Sequence, residues 1–173
     1  HGVSNMLRNY INSYNSGIYN PRPNIRVTRE MASAATMDSD GGLGIIVAPK
    51  AMKMAIQKAE QTGIGMVTIM NGRHLGMAGY HAMLALEHDM IGVCMTSTRP
   101  SVLPTYGREP RLGTNPIALA APAKEEPPFV LDIATSAVAN NKFGLARRLG
   151  VDLEAGWISD SEGTPIMEQG PVP

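Results

Sequence analysis

The sequence predicts an α/β protein in which helices and short strands alternate, and three observations carry that reading. Two stretches place apolar residues at helical spacing, several short apolar runs are bounded by turn residues, and the two kinds of stretch alternate along the chain. With 173 residues, 43% of them hydrophobic and 17% charged, there is material for one packed domain or two small lobes, and the chain is not of the disordered class.

In chain order, Val3, Met6, Leu7, Tyr10, Ile11 and Tyr14 recur as one face of an amphipathic helix, which Gly17 caps. The Asn20-Pro21-Arg22-Pro23 segment breaks it, and residues 24–29 alternate as a short strand does. Residues 38–44 form a polar, glycine-rich turn. They open like a calcium loop, but the glycine is misplaced and position twelve is Pro49, where glutamate is required. Pro49 starts a second helix, whose stripe of Ala51, Met52, Ala55, Ile56 and Ala59 ends at Gly63. Residues 66–96 read as strand, turn, helix to about His88, and strand 91–96. If those two strands are parallel neighbours, the crossover is right-handed. A proline- and arginine-rich loop spans 97–115, two further strands that pair with each other follow at 117–121 and 129–133, and helical character runs from Ala134 to Arg148. The tail from Gly156 has one aromatic anchor, Trp157.

Charge and cysteine content narrow the function classes. Lysine plus arginine equals aspartate plus glutamate at 15 each, so nothing in the overall field draws the chain to nucleic acid or to an anionic membrane, and a small-molecule partner is the expectation. The single cysteine, Cys94, lies in an apolar strand-like run and excludes an intrachain disulfide framework, which suits the cytoplasm. No apolar run has the length of a membrane span, and no signal peptide is visible.

Chemistry concentrates at Asn71-Gly72-Arg73-His74-Leu75-Gly76-Met77-Ala78-Gly79-Tyr80, where a strand ends in a turn with three glycines and a helix follows. Such a turn lets the backbone come close to a ligand and offers free amides at a helix N-terminus. His74 titrates near neutrality and sits at the carboxyl end of a strand, where open α/β sheets bind ligands. The bland alternative is a hydrogen-bonded turn histidine, and spacing alone does not choose between them. His74, His81 and His88 fall seven residues apart, two helical turns or roughly 10 Å, too far for two of them to share one ion. No metal site is expected. Neither a G-x-G-x-x-G nor a P-loop pattern occurs, so a standard dinucleotide fold is unsupported.

Six motifs in order nevertheless carry a resemblance: His1-Gly2-Val3, the 20–23 break, Asp38-x-Asp40-Gly41-Gly42-Leu43-Gly44, Asn71-x-x-His74-x-Gly76-x-x-Gly79-Tyr80, residues 112–118, and Asp132-x-Ala134-Thr135-Ser136. Together they resemble the malate/L-lactate dehydrogenase family of the non-Rossmann type, which also contains ureidoglycolate, sulfolactate and cyclic-imino-acid oxidoreductases. The resemblance implies an α/β fold with a mixed sheet and flanking helices, a non-Rossmann dinucleotide-binding fold that takes NAD or NADP, truncated here at both ends. Residues 1–63 would belong to the dimerisation and substrate lobe and 64–173 to the cofactor lobe, with the C-terminal remainder absent. It implies reversible hydride transfer to or from C2 of a small 2-hydroxy or 2-oxo acid by a cytoplasmic homodimer. A ketimine reductase and a truncated non-catalytic binding module are the alternatives, and the 173 residues alone need not be active.

Residue roles follow from the same resemblance. His74 corresponds to the proton donor and acceptor, with Asn71 and Gly76 shaping its turn at the cofactor. His1 and Thr98 correspond to substrate contacts. Arg8, one helical turn beyond the Asn5 that replaces a common arginine, stands in as the substrate-carboxylate grip. Thr114, Asn115 and Pro116 correspond to a segment near the nicotinamide, and Ser136, Ala137 and Val138 to a cofactor-contacting stretch.

Overall fold

A computed structural model describes residues 6–172. The element order is α1 (Met6–Asn15), β1 (Arg26–Glu30), β2 (Ala34–Asp38), α2 (Gly44–Thr62), β3 (Met66–Met70), α3 (Ala78–Met83), a 3-10 turn (Leu86–His88), β4 (Gly92–Met95), β5 (Ile117–Ala121), β6 (Phe129–Ile133) and α4 (Asn141–Leu149). The mixed α/β class read from the sequence is the observed one.

Among the described residues the strands form two three-stranded sheets, ordered β1-β2-β3 and β4-β5-β6. In the first, β1 runs antiparallel to β2 with an irregularity between Val27 and Arg29, and β2 runs parallel to β3 in the register Ala34 to Met66 through Asp38 to Met70. The connection between β2 and β3 is α2, so the βαβ unit lies one step earlier than the sequence suggested. β3 and β4 are not neighbours, because β3 pairs with β2 and β4 belongs to the other sheet. β5 and β6 do pair, as expected.

The chain divides into two compact units, one built from the residues up to 94 together with 118–132, the other from 95–117 and from 133 onward. Among the described residues, the first unit has two buried clusters. Met37, Val47 and Ala51 pack α2 onto the β1-β2-β3 sheet with Ile25, Met54, Val67 and Ile69 against them. Ala78, Ala82, Ala118 and Ala120 bring α3 onto β5, with Leu75, Leu86 and Cys94 around them. Alanine on both surfaces lets the helix backbone come close to the strand, and Cys94 is a partly buried strand residue of that cluster. Lys58 of α2 is buried and donates from Nζ to Glu30 Oε1 and to the Met31 carbonyl, both at 2.8 Å, which pins the helix to the end of β1. In the second unit, Phe143 of α4 meets Trp157 edge to face at 6.4 Å, so the expected aromatic anchor is in place.

Three helix boundaries differ from the sequence reading. α2 begins at Gly44 and carries Pro49 inside it, rather than starting at Pro49. The helix after the His74 turn ends at Met83, and only a 3-10 turn reaches His88. α4 begins at Asn141, with residues 134–140 outside it. No helix among the described residues is long and apolar enough to cross a membrane.

Candidate active site

The carboxyl ends of β2 and β3 lie side by side, and both lead into tight turns. Ser39 N–H donates to the Met70 carbonyl at 2.9 Å and Gly41 N–H to the Asn71 carbonyl at 3.2 Å, so the two turns are stitched together where the strands stop. Asn71 takes a left-handed conformation (φ 56°), which asparagine tolerates better than most residues. Its side-chain amide donates to Asp38 Oδ1 at 3.0 Å. Asp38 also accepts from Asp40 N–H at 2.9 Å and from the Arg26 guanidinium at 2.8 Å. The Asp40 amide, then Asn71, hold the Asp38 carboxyl below the usual carboxylate range, with Arg26 adding to the effect.

Two residues beyond the glycine of that turn comes Leu75's neighbour His74, which remains exposed. Its Nδ1 lies 2.6 Å from the Tyr10 hydroxyl and 3.3 Å from the Gly76 amide, and the Tyr10 and His74 rings are inclined at 44° with centroids 5.8 Å apart. Partial burial of the ring pushes its pKa below the ordinary histidine value. Burial, then the neighbouring Tyr19, pushes Tyr10 upward, so its phenol stays protonated at neutral pH. Gly76 has φ 80°, a conformation that closes the turn and that L side chains rarely adopt.

At the start of the helix after the turn, one of the amides that the sequence left free for a ligand is taken. α3 begins at Ala78, four residues after His74, and its Gly79 amide is taken by Asp132 Oδ2 of β6 at 2.8 Å. Asp132 thereby ties the helix behind the His74 turn to the second sheet. Beside the turn lies an apolar cavity of about 400 Å³, lined by Leu7, Tyr10, Ile45, Leu75, Met77 and Tyr80 among others. His81 is buried, and its Nε2 donates to the Leu75 carbonyl at 2.9 Å. His88 is exposed and 3.4 Å from Glu60.

In the second unit, Thr98, Thr114 and Asn115 form one cluster. Thr98 N–H donates to Asn115 Oδ1 at 3.0 Å, Thr114 N–H donates to Thr98 Oγ1 at 2.9 Å, and the two threonine hydroxyls are 3.3 Å apart. Thr135 joins through its amide and hydroxyl, both donating to the Thr114 carbonyl. Ser136 Oγ donates to the Val138 carbonyl at 3.0 Å, which curls the segment that also contains Ala137. The segments 114–116 and 136–138, far apart in sequence, are thus joined through Thr135.

The family model for malate/L-lactate dehydrogenases matches residues 1–170. The chain belongs to that family. It is 51% identical to a malate dehydrogenase of Pyrococcus horikoshii over 94% of this chain and 45% of that one. Its fold matches the crystal structure of a malate dehydrogenase from Entamoeba histolytica with TM-score 0.90 and 38% identity, over 96% of this chain and 46% of that one. It also matches a Δ1-piperideine-2-carboxylate reductase from Pseudomonas syringae pv. tomato, with TM-score 0.85 and 30% identity, over 92% and 48%. The chain spans about half the length of the relatives it matches.

Within this malate/L-lactate dehydrogenase family chain, the residues read from the sequence fall into separate groups. Asn71, His74 and Gly76 form one turn in the first unit, and Thr98, Thr114, Asn115 and Pro116 lie together in the second with the Ser136 segment. His1 lies outside the described residues. Arg8 is exposed and sits two residues before Tyr10, about 200° around α1, so it projects from the opposite side of the helix. Tyr10 and Asp132 were missed as site residues. Tyr10 had been read as one more apolar position of α1, and its pairing with His74 spans 64 residues, beyond any local pattern.

Proposed function

We propose that the protein containing this chain is an NAD(P)-dependent oxidoreductase that interconverts small 2-hydroxy and 2-oxo acids, with His74 taking and giving the proton. The observation that carries this reading is His74 itself, exposed at the end of β3, held at one nitrogen by Tyr10, and lowered in pKa so that a neutral ring is available as a base near pH 7.

The donor set of the second unit fits a nicotinamide dinucleotide. Thr114 and Asn115 present neutral hydroxyl and amide groups, the chemistry that ribose hydroxyls and phosphate oxygens accept; the Thr114–Pro116 and Ser136–Val138 segments would hold the group, and Thr98, the substrate contact of the sequence reading, positions Thr114 and Asn115 through its hydrogen bonds. When bound, that cofactor supplies the hydride acceptor or donor. The chain's own contribution is to orient the acid and to move a proton on and off its C2 oxygen.

A second reading, reduction of a cyclic imine, is favoured by the fold match to the piperideine-carboxylate reductase. Both readings use His74 in the same way and differ in the atom that receives the proton, oxygen or nitrogen.

The test is turnover with NADH or NADPH on pyruvate, oxaloacetate and a cyclic imino acid, for the wild type and for His74→Ala. The expected result is a loss of kcat of about 100-fold or more in the variant, the range for removing a general acid–base, with nucleotide affinity unchanged. Wild-type turnover in His74→Ala would remove the proposed role.

A further inference from the structure

We infer that Tyr10 relays the proton between substrate and His74, with Nδ1 as the histidine atom that binds it. The inference rests on the reading of His74 as the acid–base group, and it goes further by assigning the atom and adding a second residue to the proton path.

The tautomer follows from the donors around the ring. The Gly76 amide can only donate, and it approaches Nδ1 at 3.3 Å. A nitrogen that accepts from an amide carries no proton of its own, so the neutral ring holds its proton on Nε2. Nε2–H cannot accept a proton. The basic atom of the resting ring is Nδ1, and the Tyr10 hydroxyl lies on it at 2.6 Å. A substrate hydroxyl therefore cannot reach the basic nitrogen without displacing Tyr10 or going through it.

A phenol hydroxyl suits the second course because it donates and accepts at the same oxygen. During oxidation of a 2-hydroxy acid, Tyr10 Oη accepts the substrate's hydroxyl proton while its own proton passes to His74 Nδ1. The C2–H bond breaks with its electron pair leaving as hydride to the nicotinamide-class acceptor, and the oxygen's electron pair forms the C2=O bond. Tyr10 ends neutral, His74 ends as imidazolium, and the contact with the Gly76 amide opens. Reduction runs the same steps backward. The surroundings agree with this role. Tyr10 is half-buried on α1, ring-packed against both Tyr19 and His74, and it also lines the apolar cavity beside the turn. The apolar wall beside Tyr10 leaves His74 Nδ1 as the hydrogen-bond partner of its hydroxyl.

The first measurement needs no turnover. Nitrogen-15 NMR of the histidine rings in the 173-residue chain reports which nitrogen is protonated in neutral His74. Nε2–H is the expected form, retained in Tyr10→Phe because the Gly76 amide remains, and an Nδ1–H ring in the wild type overturns the inference. The second measurement is kinetic. Tyr10→Phe is expected to lower kcat by about 100-fold, as loss of a proton-transfer group does, with nucleotide affinity unchanged and the His74 tautomer intact. Wild-type kcat in Tyr10→Phe, alongside inactive His74→Ala, overturns the relay and leaves the histidine assignment standing. Wild-type kcat in His74→Ala overturns the assignment on which the relay rests.

Discussion

Asp38 is buried and ionised at once, because three donors from Asp40, Asn71 and Arg26 converge on its oxygens. Its folded pKa lies below the unfolded carboxylate value near 3.9. The stability it contributes is therefore fully present above pH of about 4 and is lost as pH falls through the lowered folded value. Urea denaturation of wild type and Asp38→Asn at pH 7, 5 and 3 tests this. The variant is expected to be the less stable at pH 7, with the gap closing at pH 3, and a gap independent of pH would contradict the assignment. Because Asn71 bonds to the same carboxylate, the variant also loosens the entrance to the His74 turn. At this scale the sequence was informative where chemistry is local: Asn71, His74 and Gly76 sit within six residues, and their turn was readable from residue type. Tyr10 was not, since a tyrosine on the apolar stripe of a helix carries no mark of the histidine it will meet 64 residues later.

α2 shows why element boundaries were harder to read than element types. Gly44-Ile45-Ile46-Val47 is glycine followed by β-branched residues, a poor start for a helix, and Pro49 is the residue that usually opens one. The structure nevertheless turns helical at Gly44, with the amides of Ile46 and Val47 both donating to the Leu43 carbonyl. Tertiary packing overrides local preference here. A Cβ on Gly44 would lie 2.6 Å from the Arg73 carbonyl, 2.8 Å from that of His74 and 2.9 Å from Leu75 Cα, so the first turn of α2 rests directly on the backbone of the His74 turn. Gly44→Ala must separate the two, and overpacking of this kind costs about 1–3 kcal/mol. Gly144, inside α4, has nothing within 4 Å of the same position, and Gly144→Ala is expected to stabilise by about 0.5–1 kcal/mol through helix propensity. Urea denaturation gives both signs. The His74 ring signals should move in Gly44→Ala and stay in place in Gly144→Ala, and unmoved His74 signals in the first variant would refute the contact.

Across the whole molecule, the strand β1 and the strands β3 to β6 were legible and their grouping into two sheets was not. β2 was missed because residues 34–38, Ala-Ala-Thr-Met-Asp, lack the alternation of a half-buried strand. With β2 unseen, the nearest partner for β3 was β4, and the parallel pairing across α2 could not be read. The threonine cluster of the second unit has the same character, since Thr114 and Thr135 are joined by hydrogen bonds across 21 residues of intervening strand and turn. A ligand that binds the folded chain and not the unfolded one stabilises it by mass action, about 2.7 kcal/mol at a hundredfold excess over Kd. If the Thr98–Thr114–Asn115 cluster holds a dinucleotide, NADH or NADPH should raise the melting temperature of the 173-residue chain in a saturable way, and the larger shift names the preferred nucleotide. Thr98→Val, which removes the hydroxyl that accepts from the Thr114 amide, should reduce that shift. His74→Ala should leave it unchanged. A melting temperature indifferent to both nucleotides would mean that this cluster alone does not hold the cofactor, whereas an equal shift in wild type and Thr98→Val would place nucleotide binding elsewhere in the chain.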